Sequence, residues 1–113
     1  DVSDQTLYAF EDGEIVHYFP VSTGAHGYTP RGNYSVTDKL LWHDYVWKTE
    51  DAEWNIPGVQ YNLRFKQHYY IHYAYWHDNF GNPMSGGCVN VNLDNSKWIY
   101  EWSEVGVPVE IID

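Results

Sequence analysis

The sequence predicts a mostly β fold with one short helix near the C-terminal end. Three observations carry that expectation: short apolar runs punctuated by Gly, Pro and Asp-Gly, an aromatic content of 19%, and a single stretch with helical apolar spacing. Large rings suit a half-buried pleated surface, so the composition favours strands. At 113 residues the whole chain, 1–113, is expected to form one domain around one core.

Taken in order, Gln5 to Phe10 and Ile15 to Val21 read as two strands joined through Asp12-Gly13. Asp-Gly between such runs signals a hairpin, because both central turn residues need positive φ. Ser22 to Gly32 is a loop, and Asn33 to Thr37 a third strand. Leu40 to Pro57 holds Trp42, Trp47 and Trp54 among acids without a clear period. It reads as an insertion or lid, about 40–57, whose rings pack onto the domain.

Val59 to Phe65 and Tyr69 to Trp76 are the better strands. Alternation in the second places Tyr69, Ile71, Tyr73 and Tyr75 on one face and Tyr70, His72, Ala74 and Trp76 on the other. Phe80 to Gly87 is a turn-rich loop, and Cys88 to Asn92 a short strand. Asp94 is placed to cap a helix running to about Glu104, with Trp98, Ile99 and Trp102 on one side. Gly106 is a stop for it, and Val107 to Ile112 a closing strand.

Charge narrows the functions. The formal net charge is -10, from 16 acids against 6 Lys plus Arg. Such a surface repels a phosphate backbone and an anionic membrane, so neither is expected as a partner. No apolar run approaches the ~20 residues of a membrane-spanning helix. One cysteine means that no intrachain disulfide forms.

A lone cysteine is by default a small buried hydrophobe. Its surroundings here suggest more. His72 precedes Cys88 by sixteen positions, and a strand, a Gly/Pro loop and a return can bring the two together. A neighbouring imidazole can take the proton of a thiol and make it a nucleophile. Gly86-Gly87 lets the backbone turn sharply and aim amides at one point, as an oxyanion hole requires, although a tight turn before a strand needs the same residues. His68 and His72 share strand parity and His77 follows, yet no spacing identifies further zinc ligands, so no metal and no organic cofactor is expected. His17, His26 and His43 read as surface or hydrogen-bonding residues.

The landmarks are collinear from Gln5 to Ile111. Leu7-Tyr8 and Asp12-Gly13 come first, then Val21-Ser22-Thr23-Gly24 and Thr29-Pro30-Arg31-Gly32. Ile71-His72, Trp76, Phe80-Gly81 and Pro83 lead into Ser85-Gly86-Gly87-Cys88-Val89-Asn90, followed by Trp98 to Trp102 and Gly106 to Ile111. In this succession the chain resembles the L,D-transpeptidases, cysteine enzymes that cross-link bacterial peptidoglycan. The resemblance implies an L,D-transpeptidase-like β-sandwich or barrel.

It also implies roles. Cys88 would attack the donor tetrapeptide stem and form a thioester with release of D-alanine; His72 would be its base, oriented by the main-chain carbonyl of Tyr73. Amides around Gly87 and Cys88 would hold the oxyanion, while Ser85, Gly86, Asn90, Trp76 and Tyr61 would contact substrate. An amine acceptor makes the reaction a transpeptidation, and water makes it an L,D-carboxypeptidation. The implied partner is the peptidoglycan stem peptide, handled by a monomer. The implied location is the bacterial cell envelope, outside the cytoplasmic membrane, with the signal segment not in this chain. One departure stands out: Gly86 occupies the position where the family usually has histidine. The many aromatics and that missing histidine also suit a peptidoglycan-binding module without turnover.

Overall fold

The computed structural model describes residues 1–48 and 53–113. In chain order its elements are β1 (Thr6–Glu11), β2 (Glu14–Pro20), β3 (Gly32–Ser35), β4 (Asp38–Lys48), β5 (Glu53–Lys66), β6 (Tyr69–Tyr73), β7 (Val89–Val91), α1 (Leu93–Trp102) and β8 (Pro108–Ile111). The strands pair as β1-β2, as β3-β8, and as a four-stranded sheet β4-β5-β6-β7. Among the described residues the fold is mostly β with one α-helix, as the sequence predicts. Asp12 and Gly13 close the first hairpin with φ of 52° and 79°, the geometry that Asp-Gly favours there.

The stretch 40–57 departs most from expectation. Its described residues are not irregular; they belong to two long antiparallel strands. The register shifts between His43 and Tyr45, and such a bulge breaks the two-residue alternation by which a strand is read. On the opposite strand Gly58 adopts a φ of 64°, and its N–H donates to Asp44 Oδ1 at 2.7 Å. Residues 49–52 of the expected lid, and the side chains of Trp47 and Trp54, lie outside the described residues.

The helix starts two residues earlier than Asp94 suggests. Asn92 is its cap, accepting the Asn95 N–H at 2.9 Å through its own Oδ1; Asp94 falls in the first turn, where a negative charge suits the helix dipole. The helix ends at Trp102 with Ser103 extended, short of Glu104. Gly106, at a φ of 101°, serves the turn before β8 rather than stopping the helix.

One apolar cluster joins the sheets. Ala9, Phe19 and Val21 meet Val36, Leu63, Phe65, Ile71, Val89 and Val91, with Ile99 of α1 against them. Leu63 pairs with Ile71 and Ile71 with Val89, so the middle of the four-stranded sheet presents an unbroken apolar row to this core. Alternation then sends Asn62, Tyr70, His72 and Asn90 to the opposite face. There too the residues are buried.

The pairing of β6 with β7 is parallel, so the chain must travel back between them. That return is the segment 74–88. It is tied by main-chain bonds to residues 21–23, which themselves bridge to β7 through Ser22 and Asn90: Gly81 N–H to Val21 O at 2.9 Å, Met84 N–H to Thr23 O at 3.0 Å and Ser85 N–H to Thr23 O at 3.1 Å.

Candidate active site

The face of the sheet away from the core gathers the candidate residues. In the parallel register His72 lies opposite Asn90, and Ile71 opposite Val89. One step back places Cys88 beside Tyr70, on the face that also carries His72. Cys88, the residue before β7, and His72 of β6 are thus diagonal neighbours on one face of the sheet.

Tyr45 of β4 packs against His72 and Tyr70. Its ring is 4.9 Å from that of His72 and 5.3 Å from that of Tyr70, and its phenol is held neutral chiefly by burial, with the charge of an ionised Cys88 adding to the effect. The Tyr45 hydroxyl donates to Asn62 Oδ1 at 2.6 Å. His43 stacks on Tyr70 at 5.1 Å, so it belongs to this cluster rather than to an isolated surface. Trp76, 41% exposed, sets its ring 5.7 Å from His72 at the mouth.

His72 is 3% exposed and its Nδ1 lies 2.9 Å from the carbonyl oxygen of Tyr73. A carbonyl only accepts, so Nδ1 carries the proton and Nε2 the lone pair. Burial pushes the pKa of His72 down to about 4; the bond to Tyr73 works against this, and His43 and His77 reinforce it. Burial likewise pushes the Cys88 thiol up to about 11, against the pull of the Tyr70 main chain. At neutral pH the resting pair is therefore thiol and neutral imidazole, not thiolate and imidazolium. Cys88 nonetheless keeps partial exposure, and its Sγ approaches the His68 carbonyl at 3.7 Å.

The cysteine loop is held by hydroxyls. Ser85 Oγ donates to the Cys88 carbonyl and accepts the Gly87 N–H at 3.0 Å. Ser85 is therefore engaged inside the loop, and the Gly87 amide, expected as an oxyanion donor, already has it as a partner. Gly87 has a φ of 145°, and a Cβ there would fall 2.6 Å from Tyr69 Cε1, so no side chain fits without displacing that ring. Gly86 is the opposite case: a Cβ added there meets nothing within 4 Å.

Thr29 braces the loop from below. Its Oγ1 accepts the Gly24 N–H at 2.7 Å and donates to the Gly87 carbonyl at 2.8 Å. Gly24 approaches so closely that an added Cβ would lie 3.0 Å from Gly87 Cα.

His72, Trp76, Cys88, Asn90 and the Tyr73 carbonyl thus come together. Tyr61 does not join them: at a φ of 58° it sets its ring 5.6 Å from Tyr100 of α1, on the helix side. Among the described residues no three His, Cys, Asp or Glu side chains are grouped to hold a metal ion. The sequence singles out neither Tyr45 nor Asn62, and gives Tyr70, on the His72 face, no role; the register of β4 and β5 that brings Tyr45 and His43 in is set by a bulge. A depression of about 440 Å³ lined by Tyr73, Tyr75, His77, Phe80 and Leu93 flanks the site but includes neither Cys88 nor His72.

Comparison with known proteins adds the family. Residues 1–111 match the family model described as the L,D-transpeptidase catalytic domain. L,D-transpeptidase 1 of Mycobacterium tuberculosis is 26% identical over 128 aligned residues, covering 98% of this chain and 48% of that protein. The chain spans about half the length of the curated relatives it matches. Among solved structures, LdtMt1 in complex with imipenem superposes with a TM-score of 0.89 at 25% identity, over 98% of this chain and 56% of that one. An L,D-transpeptidase from Stackebrandtia nassauensis gives 0.79 at 27% identity, over 96% of this chain and 51% of that one. For the L,D-transpeptidase from Mycobacterium smegmatis the TM-score is 0.91 at 24% identity, over 99% of this chain and 56% of that one, a likeness of fold. With nearly its full length inside the family's domain, this chain belongs to the L,D-transpeptidase catalytic-domain family.

Proposed function

We propose that this domain is a cysteine acyltransferase acting on peptidoglycan stem peptides in the bacterial cell envelope. The observation that carries the reading is the His72 tautomer. The bond from Nδ1–H to the Tyr73 carbonyl leaves the Nε2 lone pair as the one basic site on the ring, on a strand adjoining that of Cys88.

In the reaction, the Cys88 proton passes to His72 Nε2 as Sγ attacks the carbonyl of the donor tetrapeptide. The tetrahedral intermediate collapses to a thioester, and His72 returns the proton to the departing D-alanine amine. An acceptor amine then attacks the thioester, gives its proton to His72, and the thiol is restored. Water in place of the amine makes the product a tripeptide stem. Because the resting pair is neutral, charge develops only along the reaction path, in a site where burial strengthens every hydrogen bond to it. The Cys88 amide would be the main-chain donor to the oxyanion, since Ser85 holds that of Gly87. Trp76 at the mouth and the β4–β5 hairpin would contact the stem peptide.

Imipenem, the ligand of the related LdtMt1 complex, provides the test. Intact-protein mass should rise by one equivalent of drug in the wild type and not in Cys88→Ala. Incubation with disaccharide tetrapeptide should release D-alanine. Folded wild-type protein that neither gains mass nor releases D-alanine, yet is retained on sacculi as well as Cys88→Ala, would favour a non-catalytic binding module instead.

A further inference from the structure

His77 has no part in the mechanism above, but it contacts a residue that does. Asn90 is 1% exposed. One end of its carboxamide lies 3.1 Å from His77 Nε2; the other end is buried with no hydrogen-bond partner. Nitrogen and oxygen of a carboxamide look alike, so which end is which follows from the bonds available.

His77 decides the question. Its Nδ1 accepts the main-chain N–H of Asn79 at 3.1 Å, so Nδ1 bears a lone pair. Burial lowers the pKa of His77, with Asp78 opposing, which favours the neutral ring at pH 7. A neutral imidazole with a lone pair on Nδ1 has its proton on Nε2. That N–H can donate only to an oxygen, so the Asn90 carbonyl oxygen faces His77. The unpartnered end is then the NH2 group, on the face that Asn90 shares with His72 and Cys88.

From this arrangement we propose that His77 is a positioning residue, turning the Asn90 carboxamide so that its NH2, the positive end of the amide dipole, is presented to negative charge formed at Cys88. The inference rests on the acyl-transfer reading and deepens it. A site whose Gly87 amide is taken by Ser85 has need of another positive dipole end. The opposite orientation would aim a carbonyl oxygen at the developing charge and oppose it.

The tautomer and the rate are tested together. The imidazole 15N spectrum at pH 7 should show His77 protonated at Nε2 and bare at Nδ1. Imipenem acylation, resolved into a binding constant and a limiting rate, should lose roughly 10²-fold in limiting rate in His77→Phe, with binding little changed. His77→Gln, whose amide N–H can replace Nε2–H, should recover most of that rate. Asn90→Asp, which removes the NH2 but leaves an acceptor for His77, should fall as far as His77→Phe. A proton on Nδ1, an unimpaired His77→Phe, or a His77→Gln as slow as His77→Phe overturns the proposal. Should His77→Phe not fold, the spectrum and Asn90→Asp decide. A wild type that imipenem does not acylate overturns the acyl-transfer reading and the role of Asn90 with it, while the spectrum still reports on the tautomer.

Discussion

The two faces of the four-stranded sheet are built from alternate residues of the same strands, and both are buried, yet they are held by different forces. Toward the core, Leu63, Ile71, Val89 and Val91 pack as a continuous apolar row, where any side chain of the right volume and shape serves. On the other face Asn62, Tyr70, His72 and Asn90 are equally shielded, but each polar atom must find a specific partner. Asn62 finds Tyr45, Leu40 O and Val59 O; His72 finds Tyr73 O. Among the described residues, the far end of the Asn90 carboxamide is the one fully buried side-chain polar atom without a hydrogen-bond partner. A buried polar face lowers stability relative to an apolar one, and under the proposed function what it gives in return is a neutral thiol and imidazole that exchange a proton.

That contrast makes substitutions on the two faces separable. Cys88→Ala should abolish acylation, a loss of roughly 10⁴-fold or more in rate, with a melting temperature no lower than wild type. Leu63→Ala, on the core face, should do the reverse. It deletes a side chain only 1% exposed, at a cost of about 2–5 kcal/mol, and the enzyme that remains folded should be acylated at close to the normal rate. Thermal melts beside imipenem mass shifts measure both. A Leu63→Ala protein that is stable but inactive would mean that the faces are not independent.

Acid and base should also act on one face alone. His72 has its pKa depressed from 6.5 to about 4, so the unfolded chain binds the extra proton first as pH falls. Stability is then full above pH 6.5 and declines between 6.5 and about 4, by about 3 kcal/mol from this group. Cys88 runs the other way: its pKa is raised from 9.0 to about 11, so its contribution is full below pH 9.0 and declines as pH rises to about 11. Chemical denaturation across pH should show a plateau between these limits. His72→Gln should flatten the acid limb and Cys88→Ala the alkaline one, while Leu63→Ala lowers the whole curve without changing its shape.

What the sequence could reveal follows the same division. Alternation in Tyr69 to Trp76 placed His72 correctly opposite Ile71, because β6 is regular and pairs without a shift to β7. The landmarks around Thr29 and Cys88 were legible as motifs, though not why they recur together. Thr29 Oγ1 bridges Gly24 and Gly87, a contact between segments far apart in the chain. The roof of the site was illegible. Tyr45 and His43 reach His72 and Tyr70 only through the bulge at His43/Tyr45, and a bulge changes which residues face inward without leaving a periodic trace. Tyr61, an aromatic on a neighbouring strand, was a plausible substrate contact until its left-handed backbone turned it toward Tyr100.

Below the site, Thr29→Val tests whether the loop is braced or merely adjacent. The substitution keeps shape and removes the hydroxyl, leaving the buried Gly24 N–H and Gly87 carbonyl without their partner. A cost of about 1–3 kcal/mol is expected, together with slower acylation, because the Gly87 carbonyl is part of the turn that presents Cys88. Stability lost with acylation intact would make Thr29 a structural brace alone.

The smallest structural effect, and the sharpest question about the loop, belongs to Gly86→His. Gly86 is exposed, its φ is not in the left-handed region, and an added Cβ meets nothing within 4 Å, so the change should alter stability by no more than about 0.5 kcal/mol. The absence of a histidine here is thus not imposed by crowding, unlike the glycine next to it, where Tyr69 blocks any Cβ. Restoring the family's usual residue puts a second imidazole beside Cys88 at no cost in packing. If the neutral resting pair limits the reaction, that imidazole should raise the limiting rate of acylation, and the pH at which iodoacetamide alkylates Cys88 should fall. An unchanged rate and alkylation profile would mean that the face built by His72, Tyr73 and Asn90 already supplies what the thiol needs.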